Sequence, residues 1–154
     1  MLVREFMIYN VIKVKPETSV KEVLEILVDK EIGGMPICDD HDALLGMVSD
    51  GDILRTIKPI ESQIYGLGLY MEYLAEHNLQ TRIKEIADVE IIKIAKTKGL
   101  ITVYPDDEID HAVKLLSKHH FKKLPVVNRN NRVIGVISRG DVLRKIQASI
   151  LTNL

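Results

Sequence analysis

The sequence predicts a mixed α/β (α+β) fold built from two similar halves, each running strand, helix, strand, strand, helix. Three observations predict it: the chain repeats itself in one register, each half carries an apolar stripe at helical spacing, and each half then carries two short apolar runs parted by a polar turn. Pro105 lies 89 residues after Pro16. The same offset, without a gap, pairs Val14 with Val103, Pro36 with Pro125, Gly46 with Gly135, Ser49 with Ser138, Gly51 with Gly140, Asp52 with Asp141, Leu54 with Leu143 and Arg55 with Arg144. At 154 residues the two halves are expected to share one core in a single module, residues 1–154. Residues 1–58 form the first repeat, 59–82 a helical linker insert and 83–154 the second repeat.

The β-branched run Val11-Ile12-Lys13-Val14 predicts the first strand. Beyond Pro16, the residues Val20, Val23, Leu24 and Leu27 fall at i, i+3, i+4 and i+7, which is one face of a helix. Ser19 and Glu22 stand three apart at its start, the spacing at which a hydroxyl and a carboxylate satisfy reciprocal backbone N–H groups. The copy repeats the stripe with Ile109, Ala112, Val113 and Leu116. A strand from Met35 to Cys38 follows, then the turn Asp39-Asp40-His41-Asp42 and a second strand from Leu44 to Val48. In the copy the turn is Asn128-Arg129-Asn130-Asn131, whose asparagines tolerate positive φ. Both second strands run into an S-x-G-D tetrad and a closing helix, and neither half alone can bury the resulting apolar faces. Ile83-Lys84-Glu85-Ile86 echoes Val3-Arg4-Glu5-Phe6, which predicts a lead-in helix for each repeat. The insert holds three of the five tyrosines, Tyr65, Tyr70 and Tyr73. Leu69, Tyr70, Tyr73 and Leu74 share a helical face that reads as cover for the core or a dimer partner, with a ligand lid as the alternative.

Composition narrows the function. Hydrophobic residues make up 46% and charged residues 28% of the chain, and the formal net charge is −1, so no basic footprint for nucleic acid exists. No apolar stretch approaches the ~20 residues that span a bilayer, and Arg4 and Glu5 interrupt the start of any signal peptide. The expectation is a cytoplasmic protein with neither nucleic-acid nor membrane partner. The one cysteine, Cys38, sits in an apolar run and reads as a buried strand thiol. In Gly46-Met47-Val48-Ser49-Asp50-Gly51 the serine falls one residue too late for the nucleophile elbow G-x-S-x-G. The five histidines, His41, His77, His111, His119 and His120, form no H-E-x-x-H, and the acidic turn at Asp40 and Asp42 lacks the glycine and distal glutamate of a calcium loop. The expectation is therefore no catalytic residue, no metal site and no enzyme.

The runs V-R-E-F-M, I-K-V-K-P-E-T-S-V, G-G-M-P-I and L-G-M-V-S-D-G-D-I-L resemble a CBS domain. I-T-V-Y-P-D, K-K-L-P-V-V and I-G-V-I-S-R-G-D-V-L resemble its tandem partner, so the two repeats together, with mainly the linker insert left outside, are similar to a Bateman module. The resemblance implies two pseudo-symmetric repeats packed through their small sheets, two clefts that take adenine nucleotides or other adenosyl compounds, and a homodimer. It implies AMP, ADP, ATP or S-adenosylmethionine as candidate ligands and no required cofactor. The family's ribose-binding pattern, S/T-x-x-D, maps to Ser49 with Asp52 and to Ser138 with Asp141. Basic residues that hold a phosphate in the family map to Lys122 and Lys123, where the first half has Gly33 and Gly34, and Arg139 stands where the first half has Asp50. A phosphate would then prefer the Asp141 cleft, with the adenine against Ile32, Gly33 and Val136.

The residues themselves leave a second reading open. S-x-x-D at a helix start is also a capping box that needs no ligand, and lysines at a helix-to-strand junction are commonly solvated. The glycines and the unpaired N–H groups of a helix N-terminus favour a ligand. The functional expectation is a regulatory module that senses an adenosyl ligand between its repeats and signals by conformational change to an effector protein on another chain. The alternative is a ligand-free CBS interaction or dimerisation module.

Overall fold

The computed structural model describes residues 1–59, 78–118 and 120–154. The tyrosine face of the insert, His77 and His119 lie outside these described residues. The first repeat supplies α1 (Val20–Asp29), β1 (Gly34–Cys38), β2 (Leu44–Ser49) and α2 (Asp50–Ile57). After α3 (Leu79–Ile86) the second supplies α4 (Ile109–Leu116), β3 (Lys123–Val127), β4 (Val133–Ser138) and α5 (Arg139–Ser149). Single 3-10 turns stand at Val3–Glu5 and Ile91–Lys93. α3 runs across the expected boundary between residues 82 and 83. Among the described residues, no helix is long and apolar enough to cross a membrane.

α1 begins where the capping pattern places it: the Ser19 hydroxyl accepts from the Glu22 N–H at 3.1 Å and the Glu22 carboxylate accepts from the Ser19 N–H at 3.1 Å. Its stripe buries Val20, Val23 and Leu27, while Leu24 stays at the rim. The hairpins are copies of each other. β1 and β2 pair antiparallel with Ile37 opposite Gly46, β3 and β4 with Val126 opposite Gly135, and each has a register shift one residue later. The turns close through Asp42 at φ 64° and Asn131 at φ 59°, two side chains that tolerate the left-handed region.

The expected first strand of each repeat shrinks to one parallel bridge, Val14 to Ile37 and Val103 to Val126. Proline explains the truncation. Val14 N–H donates to the Pro36 carbonyl at 3.1 Å and Cys38 N–H to the Val14 carbonyl at 2.9 Å. Extending this parallel ladder either way would need an N–H from Pro36 or from Pro16, and neither has one. Pro125 and Pro105 stop the copy in the same way.

The core has three parts. Val14, Val20, Val23, Leu27, Met35, Ile37, Val48 and Ile53 of the first repeat enclose Ile91, which comes from the chain leading into the second. Conversely, Val103, Ile109, Ala112, Leu116, Leu124, Val126, Ile137 and Val142 enclose Val3, Phe6 and Met7 from the start of the chain. Each lead-in thus completes the other repeat. Val3 N–H donates to the Asp107 carbonyl and Ile91 N–H to the Thr18 carbonyl, at 2.9 and 2.7 Å. Ile8 pairs with Val136, and Lys96 with Met47. The counterpart of Val3–Glu5 is therefore Ile91–Lys93, not the expected Ile83 to Ile86, which belongs to α3. A third cluster, Cys38, Leu44, Val127 and Val133, joins the hairpins. There Leu44 N–H donates to the Asn131 carbonyl and Val133 N–H to the Asp42 carbonyl, a reciprocal pair at equivalent positions that marks a pseudo-twofold axis.

Candidate functional site

In the second repeat β4 runs directly into α5, so Ser138 caps the helix and Asp141 occupies its third position. Asp141 Oδ2 accepts from the Ser138 N–H at 2.9 Å and from the Ser138 hydroxyl at 2.7 Å. Asp141 Oδ1 accepts from the Arg144 guanidinium at 2.7 Å. Asp141 is the one charged residue in the buried set among the described residues, whereas the Arg144 side chain is 74% exposed. The first repeat repeats the arrangement: Asp52 Oδ2 accepts from the Ser49 N–H and hydroxyl at 2.9 and 3.2 Å, and Oδ1 from Arg55 at 2.7 Å. A Cβ on Gly51 or Gly140 would meet the Arg55 or Arg144 Nη1 at 3.0 or 3.1 Å, so the glycines leave room for the arginines to fold back over the helix start. The two oxygens of each carboxylate have different partners. Oδ2 is committed to the cap, and Oδ1 is held by one ion pair to an arginine whose own side chain is largely exposed.

Each carboxylate opens into its own cleft at the seam between the repeats. The Asp141 cleft, about 440 Å³, brings together Ser138, Asp141, Val136, Lys122 and Lys123 with Ile32 and Gly33 of the first repeat, the set of residues that the family resemblance implies. The other, about 340 Å³, contains Ser49 and Asp52 as expected, with Asp50 and Lys96 beside them. Arg139 lines neither cleft, which corrects its assignment. Its Nε and Nη2 donate to the Leu116 and Lys118 carbonyls at 2.7 and 2.6 Å, closing the C-terminal end of α4.

The expected charge asymmetry also changes, because Lys122 and Lys123 line both clefts. Lys122 Nζ is 3.7 Å from Asp50 Oδ1. Lys123 reaches across to the Gly34 carbonyl at 3.1 Å. Burial lowers the Lys123 pKa and the nearby Asp141 carboxylate opposes that shift. The Asp52 cleft gains Lys96, whose Nζ lies 5.7 Å from the Phe121 ring centroid. These two lysines therefore give phosphate no reason to prefer the Asp141 side. Arg55 and Arg144 escaped the sequence reading although their pairing at the repeat offset was a visible signal. Lys96 had no such signal, because its place depends on the crossed lead-in.

Comparison with known proteins agrees with this architecture. The family model for the CBS domain matches residues 3–59 and 86–148. The chain is 30% identical over 138 residues to the chloroplastic CBS domain-containing protein CBSX2 of Arabidopsis thaliana, covering 88% of this chain and 58% of that protein. It thus spans little more than half the length of that plant relative. The crystal structure of CBSX2 in complex with AMP superposes with a TM-score of 0.72 at 32% identity, covering 97% of this chain and 98% of that one. Inosine-5'-monophosphate dehydrogenase of Aquifex aeolicus is 29% identical over 139 residues, which are 90% of this chain but 23% of the enzyme, so the likeness is confined to a CBS portion. With both matched segments coinciding with the two crossed repeats, the chain belongs to the CBS domain family, as a tandem pair.

Proposed function

We propose that this CBS pair is a regulatory module that senses an adenine nucleotide or related adenosyl ligand in its inter-repeat clefts. The observation that carries the reading is the Asp141 carboxylate: buried, oriented by Ser138 through one oxygen, and held at the other only by exposed Arg144. A ribose diol can take the place of Arg144, whose side chain is free to turn into solvent, and donate two charge-assisted hydrogen bonds. Ile32, Gly33 and Val136 offer the base an apolar wall, and Lys122 and Lys123 offer cations for a phosphate. The AMP carried by the CBSX2 structure supports the same ligand class. Because both repeats line each cleft, a ligand that bridges them favours one relative placement of the repeats. That bias can pass to a homodimer interface or to an effector on another chain. The module itself is not an enzyme on this reading.

The second reading, a ligand-free interaction or dimerisation module, is favoured by one observation: both motif carboxylates already have protein partners. Thermal shift with AMP, ADP, ATP, S-adenosylmethionine and UMP separates the two. A shift with adenosyl compounds and none with UMP is expected, whereas a flat panel would favour the second reading.

A further inference from the structure

Lys123 and Gly34 occupy equivalent positions of the two repeats, 89 residues apart, and they touch, with Lys123 Nζ donating to the Gly34 carbonyl at 3.1 Å. The pseudo-twofold axis passes midway between equivalent positions, so the Lys123 side chain crosses the region of the axis to reach Gly34. The first repeat has no side chain there. Lys123 therefore stands at a point that faces both clefts, and Lys122 is the second cation that lines each of them. Among the described residues, no other is common to the two linings. Lys122 is partly engaged already, 3.7 Å from Asp50.

A lysine ammonium is a point charge on a flexible four-carbon stem, so it can turn toward either cleft but can neutralise one phosphate at a time. The first phosphate to bind takes the shared cation. A second phosphate, entering the opposite cleft, still meets Lys122 and, on the Asp52 side, Lys96, but it finds Lys123 already paired and feels the residual negative charge of the first phosphate dianion. An uncharged nucleoside makes no such demand, because its ribose contacts Asp141 or Asp52, which are not shared. We propose that the two clefts are negatively coupled for phosphate-bearing ligands, through Lys123 at the pseudo-twofold axis with Lys122 beside it, and independent for the uncharged nucleoside. The inference rests on the adenosyl-sensing reading above and deepens it, since a chain so built answers phosphate and nucleoside with different stoichiometric curves.

Titration calorimetry on the full chain with adenosine and with AMP tests it, in the unaltered protein and in Lys123→Met and Lys123→Arg. Adenosine is expected to fill two sites of similar affinity. AMP is expected to bind in two steps separated by roughly tenfold or more, within the usual range of site-to-site coupling. Lys123→Met should draw the AMP steps together, and Lys123→Arg, which keeps the charge, should keep them apart. Equal AMP steps, a single adenosine site, or a separation that survives Lys123→Met in a cooperatively melting variant would overturn the coupling and leave ligand sensing intact. Should Lys123→Met fail to melt cooperatively, the comparison of AMP with adenosine in the unaltered protein decides. Absence of binding by both ligands overturns the sensing reading and this inference with it.

Discussion

At the scale of single residues, the two oxygens of Asp141 divide structure from function. Asp141→Ala removes both, so it should lower stability by about 1 kcal/mol through the lost cap. It should also weaken adenosine binding in its cleft by roughly 2 to 4 kcal/mol through the lost ribose contacts. Asp52→Ala should do the same for the opposite cleft. Melting curves and calorimetry run on the same variants separate the effects, and a loss of stability with unchanged affinity would reduce both motifs to caps. Cys38 makes a contrasting case. It is 1% exposed, and burial pushes its thiol pKa up to about 11. Only the thiolate attacks an alkylating agent. Native protein at pH 8 should therefore resist iodoacetamide over a period in which urea-unfolded protein reacts fully, and fast native labelling would contradict the buried packing.

At the scale of elements, the crossed lead-ins depend on two glycines. A Cβ on Gly46 would meet the Lys96 carbonyl oxygen at 2.9 Å, and one on Gly135 would meet the Ile8 carbonyl oxygen at 3.0 Å and the Met7 sulfur at 2.9 Å. Backbone oxygens cannot swing aside as a side-chain end can. Gly46→Ala and Gly135→Ala should each cost roughly 1–3 kcal/mol, the usual range for overpacking, in urea titration. Neutral substitutions would mean that the lead-ins are not held where Met47 pairs with Lys96 and Val136 with Ile8. The same crossing brings Lys96 to the mouth of the Asp52 cleft, so lead-in packing and cleft charge are linked in one element.

At the scale of the whole molecule, the helices leave large apolar side chains exposed. Leu54 and Leu143, equivalent by the repeat offset, are 62% and 65% exposed, and Val28 is 66% exposed. Beside Leu54, a groove of about 490 Å³ between α1, α2 and α3 is lined by Leu24, Val28, Ile57 and Ile83. Contiguous apolar surface of this kind on a small domain favours self-association through symmetric contacts. We expect a homodimer that the double substitution Leu54→Glu with Leu143→Glu converts to monomer in light scattering. A monomeric unaltered protein at high micromolar concentration would remove the basis for that expectation.

The sequence by itself determined most features that are local or repeated, the length of the first strand and the lead-in of the second repeat excepted. The helical stripes at Val20 to Leu27 and Ile109 to Leu116, the caps at Ser19 and Ser138, and the left-handed turn residue Asn131 follow from neighbours within a few positions. The constant offset announced two equivalent halves and both S-x-x-D motifs, and seven of the expected residues do line the Asp141 cleft. Tertiary structure alone decided which half each lead-in completes. Val3 and Ile91 are both apolar, and the two docking grooves offer the same carbonyls and the same glycine, so nothing local distinguishes home from partner. It also decided the fate of the cations. Arg139 directly follows the motif serine and Lys123 opens β3, yet one turns to the end of α4 and the other reaches across to the first repeat. Which carbonyl a long side chain reaches depends on how two repeats far apart in sequence pack, and the residue's own neighbours carry no record of that packing.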